Sequence, residues 1–115
     1  REAPALQIID ALLDAGATIR AFDPKAVEQA RLYLGDREGI TYIEHYYDAV
    51  DGCDALIVAT EWPFFRNADM ERIREKMNAP VVFDGRNIYS RAHMQRMGFD
   101  YFSIGRDPVM AYSKG

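Results

Sequence analysis

The residue in this sequence best suited to hold an anion is Arg86, set in the run Asp84-Gly85-Arg86-Asn87. A guanidinium presents a planar fork that matches two phosphate oxygens, and a glycine just before it lets the backbone come close to a ligand. On the local residues alone, a surface arginine in an ordinary Asp-Gly turn is an equal reading. Asp23, followed by Pro24, is the kind of acidic residue that holds a ribose hydroxyl when a Gly-rich turn precedes it. Neither Gly-x-Gly-x-x-Gly nor Gly-x-x-x-x-Gly-Lys occurs in the chain, so a self-contained NAD or ATP cradle is not expected, and Asp23 reads first as a turn and helix cap.

The remaining reactive types give weaker signals. Cys53 stands before an apolar run with no His or Lys close in sequence to lower its pKa, which favours a small core residue over a nucleophile. His45 and His93 have no ligand-like spacing, so neither a metal site nor a Ser/Cys-His-Asp triad is expected. Trp62 is read as packing at a sheet edge or interface in preference to stacking on a base, with Phe64 and Phe65 beside it as an apolar cluster suited to a domain or subunit contact. Asp10, Asp14, Asp48, Asp51 and Asp54 read as a solvated face.

These residues must be positioned by alternating helices and strands. Pro4 fits a first helical turn, and Leu6, Ile9 and Leu13 recur at helical spacing, predicting a helix over residues 4–15 capped by Gly16. Ala17 to Phe22 predicts a strand, Lys25 to Leu34 a second helix, and Ile40 to Ile43 a short strand. After a helical turn at Tyr46 to Val50, the run Ala55 to Thr60 is apolar on both faces, as in a central parallel strand covered on each side. Asp69 to Met77 predicts a helix with Met70, Ile73 and Met77 on one face. Ala79 to Phe83, a helix over Ser90 to Met97 stopped by Gly98, and Phe99 to Ile104 complete the pattern. The result is a three-layer, Rossmann-like doubly wound α/β fold with a mostly parallel sheet. Such a sheet normally opens with a strand and this chain opens with a helix, so the sheet is expected to lack its first strand. Residues 107–115 read as a loose tail.

Composition narrows the function. The 115 residues carry 14 Lys and Arg against 18 Asp and Glu, a formal charge of −4 with no basic block, which disfavours duplex nucleic acid and anionic membranes as partners. A hydrophobic fraction of 49% supports a packed core. The single cysteine excludes an internal disulfide and, with no signal segment or membrane span, fits a cytoplasmic location.

The segments Arg1 to Leu6, Gly16 to Pro24, Asp54 to Trp62, Asp84 to Asn87 and Ser103 to Arg106 together resemble the C-terminal domain of the UDP-glucose/GDP-mannose dehydrogenase family over residues 1–106. The resemblance implies the UDP-binding domain of a three-domain NAD-dependent oxidoreductase, with NAD held mainly by an N-terminal Rossmann domain. It implies two-step oxidation of UDP-glucose to UDP-glucuronate, in a homodimer, with N-terminal and central domains as partners of this one. It carries substrate binding to Arg86 and cofactor binding to Arg1, the arginine of an Arg-Glu-Ser-Pro motif that here reads Arg1-Glu2-Ala3-Pro4. The family's catalytic Cys, Lys and Asp lie outside these residues, so the catalytic role is expected of none of them, Cys53 included. Ala3 in place of Ser removes a helix-capping hydroxyl, at a cost of about 1 kcal/mol. Two other readings remain: a sister dehydrogenase acting on UDP-N-acetylmannosamine, UDP-N-acetylglucosamine or GDP-mannose, and a signalling or partner-binding α/β module. Receiver-like modules need an acidic cluster at the first strand ends and a late lysine, where this chain offers Arg86.

Overall fold

In a computed structural model, the residues described are 2–23, 31–32, 34–35 and 37–115. The chain divides into two compact units, residues 1–49 and 50–115. The helix expected over Lys25 to Leu34 falls largely outside the described residues.

The first unit opens with α1 (Glu2–Asp14), which buries Leu13. Its end is fixed as the sequence predicts: Gly16 takes φ +96°, and the Gly16 and Ala17 N–H groups turn back onto the Leu13 and Leu12 carbonyls at 3.0 Å each. That left-handed cap is open to glycine at no steric cost. Strands β1 (Ile19–Ala21) and β2 (Ile40–Tyr42) pair in parallel, with Ile19 opposite Ile40. Asp10 and Asp14, expected as a solvated face, have solvent-exposed side chains and also share Arg37: its Nη1 donates to Asp10, and its Nη2 donates to Asp14 Oδ1 at 3.0 Å. Spacing of four residues on α1 stacks the two carboxylates on one helix face, within reach of one guanidinium. Helix α2 (Tyr46–Val50) follows, where a helical turn was expected.

The second unit holds a four-stranded sheet, β3 (Leu56–Val58), β4 (Val81–Asp84), β5 (Asp100–Ser103) and β6 (Val109–Met110), in that order. The first two pairings are parallel and the last is antiparallel. Between the strands lie α3 (Pro63–Arg66), α4 (Met70–Lys76) and α5 (Arg91–Arg96). Both longer helices start on side-chain caps: Asp69 accepts from the Arg72 N–H, and Ser90 accepts from the His93 N–H. The i, i+3, i+7 set Met70, Ile73 and Met77 is buried, as is Met94 of α5. The parallel α/β character expected from the alternation is therefore what the chain adopts.

Two expectations are corrected. Among the described residues strand β3 is terminal in this sheet instead of central, and its outward residue Ile57 stays 42% exposed in register with Phe83 at 43%. An unbroken apolar run is compatible with burial on both faces but does not require it. Residues 107–115 are not a loose tail: β6 pairs with the open edge of β5, and α6 (Ala111–Lys114) follows it. Buried Asp100 accepts from the Tyr112 and Ser113 N–H groups at 3.0 and 2.9 Å, and from the Ser113 hydroxyl. One carboxylate thus satisfies the first turn of α6, which offers no apolar periodicity to read.

Candidate functional site

Strand β4 delivers Asp84 to the carboxyl end of the sheet, 2% exposed. A carboxylate taken out of water must find donors, and Asp84 collects four. The N–H of Arg86 donates to Oδ1 at 3.0 Å, and the N–H groups of Ile88 and Tyr89 donate to Oδ2 at 2.8 and 3.1 Å. The hydroxyl of Tyr101 donates to the same oxygen at 2.6 Å. The first of these is the turn expected of an aspartate two residues ahead of its partner. The result is that the backbone on either side of Arg86 is held from inside the fold.

Tyr101 is fully buried, and its phenol is pushed up to about 12 from 10.0. Burial is the main cause, followed by the hydrogen bond to Asp84 and that group's negative charge; Arg106 works in the opposite direction. Arg106 itself donates from Nη2 to the Tyr101 oxygen at 2.7 Å and to the Tyr89 carbonyl at 3.2 Å, and from Nε to Ser103 Oγ at 2.9 Å. Although it follows a strand end, Arg106 is turned inward and braces the Asp84 network.

Gly85 packs against β3. Its N–H donates to the Val58 carbonyl at 2.9 Å, and a Cβ there would sit 3.3 Å from that oxygen. The glycine admits the close approach of β3. Arg86 then points outward, its side chain 49% exposed. Glu61, in the loop after β3, accepts from its Nε at 3.0 Å and its Nη2 at 2.5 Å through a single oxygen, Oε2. Nη1 bonds to none of the described residues, and the side chain as a whole is half exposed. Arg66 Nη2 approaches the other Glu61 oxygen at 4.0 Å. Two arginines and one glutamate leave this rim with a net positive charge, suited to an anion with two or more oxygens.

Asn87 adopts φ +55°, a conformation that asparagine tolerates better than most residues. Its amide grips one residue of the loop after β5: Nδ2 donates to the Ile104 carbonyl at 2.9 Å, and Oδ1 accepts from the Ile104 N–H at 2.8 Å. The turn after β4 is thus tied to its neighbours on both flanks, by Gly85 to β3 and by Asn87 to the β5 loop.

Other sequence candidates lie elsewhere. Arg1 lies outside the described residues. Trp62 occupies the N-cap position of α3 and is half-buried. Phe65 is buried and Phe64 is 50% exposed, their rings edge to face at 6.0 Å, so the expected cluster is split between core and surface. Cys53 is half-buried ahead of β3, its carbonyl accepting from the Asn78 N–H. Among the described residues, no three His, Cys, Asp or Glu side chains gather to hold a metal, and no helix is long and apolar enough to cross a membrane. Nor do the described strand ends fit a dinucleotide: the turn after β4 spends its one glycine against Val58, and no Gly-rich turn opens onto a helix N-terminus. No step of hydride transfer is assigned to these residues.

Comparison with known proteins decides the family. The UDP binding domain of the UDP-glucose/GDP-mannose dehydrogenase family matches residues 1–91. The chain belongs to the UDP-glucose/GDP-mannose dehydrogenase family. The family match takes in Glu61, Asp84, Arg86 and Asn87 and ends before β5. Among relatives, the UDP-glucose 6-dehydrogenase of Pseudomonas aeruginosa is 43% identical over 117 residues, and that of Rhizobium meliloti 40% over 106. Each match covers 92% of this chain but 24% of the relative, so the chain spans about a quarter of the length of these family members. In fold, it resembles a UDP-D-ManNAc dehydrogenase of Pyrococcus horikoshii, with a TM-score of 0.56 and 22% identity over 90% of this chain and 30% of that one.

Proposed function

We propose that residues 1–115 belong to the UDP-binding domain of an NAD-dependent dehydrogenase that oxidises UDP-glucose to UDP-glucuronate in two steps. The observation that carries this reading is the outward Arg86 guanidinium at the carboxyl ends of parallel strands, where open α/β sheets take their ligands. Its unengaged edge faces two oxygens of the diphosphate, while Glu61 keeps the other edge occupied and the group extended. Binding the UDP moiety fixes the sugar at a distance from this chain; N-terminal and central domains of the same enzyme supply the oxidation. Arg1 contributes to NAD binding, and the enzyme works as a cytoplasmic homodimer. No residue of this chain is given a catalytic role.

A sister reading keeps the same Arg86 contact in a dehydrogenase acting on a UDP-N-acetylhexosamine. The test is NADH formation by the full-length protein supplied with NAD and, in turn, UDP-glucose, UDP-N-acetylhexosamines and GDP-mannose. Two NADH per UDP-glucose supports the first reading, and turnover on an acetylated sugar alone supports the second. Silence on every sugar, from folded protein, removes both.

A further inference from the structure

Arg86 is flanked by two restraints of different kinds. Asp84 holds its backbone from the buried side, and its loss would disturb the core as well as the turn. Asn87 acts from the solvent side. It is exposed, and the Ile104 it grips is 64% exposed, so this pair of hydrogen bonds shields no core surface. A side-chain amide that both donates to and accepts from one residue's backbone reproduces the pairing of a strand where no strand continues. Asparagine meets two demands there at once: a left-handed backbone and a donor beside an acceptor. Aspartate would keep the acceptor for the Ile104 N–H but turn a carboxylate oxygen toward the Ile104 carbonyl. Glycine would accept the backbone and supply neither hydrogen bond.

We propose that Asn87 is the positioning residue of the Arg86 anion site: by tying the turn after β4 to the loop after β5, it fixes where the guanidinium meets a nucleoside diphosphate. The inference rests on Arg86 being the anion-binding residue. Asn87 itself touches no ligand in this arrangement and acts through Arg86.

The test uses Asn87→Gly, Asn87→Asp and Asn87→Ala in the full-length protein, with Arg86→Ala alongside. UDP affinity is read by calorimetry, together with KM and kcat for the nucleotide sugar and Tm. Asn87→Gly removes the clamp without straining the backbone, so it stays informative if the alanine variant fails to fold. The expected result is a UDP Kd and a sugar KM raised about tenfold in Asn87→Gly, the change that goes with losing positioning hydrogen bonds. Asn87→Asp should be similarly weakened, with kcat nearly unchanged and Tm within a few degrees of the parent. Wild-type UDP affinity in Asn87→Gly and Asn87→Asp, with Arg86→Ala weakened, overturns the proposal while the Arg86 reading stands. A lowered Tm with unchanged UDP affinity also overturns it, because the clamp would then be only structural. If Arg86→Ala binds UDP as well as the parent, the Arg86 reading fails and this inference falls with it.

Discussion

Glu61 and Arg86 meet across the ends of β3 and β4, one carboxylate oxygen accepting from both Nε and Nη2 of the guanidinium. The pair is half exposed on both sides, 47% and 49%, which keeps its worth to the fold below about 1 kcal/mol. Its significance is orientation. A carboxylate on the side edge of the arginine leaves the end edge for another anion, and the two do not compete for the same protons.

Removing the arginine should therefore cost binding and spare stability. Arg86→Ala is expected to raise the KM for the nucleotide sugar by about 10- to 100-fold, the range of a lost charge-assisted pair. Arg86→Lys should recover only part of it, since lysine restores charge without the fork. Steady-state kinetics on both variants, with Tm as the control, checks this.

Glu61→Ala should lower stability by less than about 1 kcal/mol in urea denaturation. A larger loss would mean that the ion pair supports the fold and does more than orient Arg86.

Asp84 behaves in the opposite way. Asp84→Ala leaves three backbone N–H groups and the Tyr101 hydroxyl without their acceptor in a buried site. Each such group carries a penalty of about 1 kcal/mol or more, so a destabilisation of about 3 kcal/mol or more is expected from denaturant unfolding.

The Tyr101 phenol links that network to pH. Its pKa stands at about 12 in the fold against 10.0 unfolded, so the native state holds the proton more tightly. The resulting stabilisation is present in full below pH 10 and is lost as pH rises to 12, by an amount on the order of 2 kcal/mol. Unfolding free energies across that range should fall more steeply for the parent than for Tyr101→Phe, which has no proton to lose there.

Cys53→Ser should leave turnover of the full-length protein nearly unchanged, as expected of a half-buried side chain ahead of β3 with no assigned chemistry. A folded but inactive serine variant would place a nucleophile in this chain.

What could be read from the sequence follows the range of the interactions involved. Helix α4 was legible because Met70, Ile73 and Met77 repeat at helical spacing, and α5 because Gly98, at φ +83°, stops it. Arg86 stood out by its neighbours Asp84 and Gly85, and Gly85 packs against β3. The strand-end runs that hold Glu61 and Asn87 were legible, but the contacts these two residues make were not. Their partners lie 25 and 17 residues away, and nothing local signals a contact that only the parallel strand order creates. The same holds for β6 and α6, which are too short for periodicity and are set by Asp100, 12 and 13 residues upstream.

The four donors gathered on Asp84 also bear on how such a domain can diverge. Three of them belong to the segment that carries Arg86, so exchanging Asp84 to reshape the ligand rim would first spend the stability on which that rim depends. Exchanges at the outward positions 61 and 66 would cost the fold little by comparison, so the rim around Arg86 can be altered there while the carboxylate beneath it stays in place.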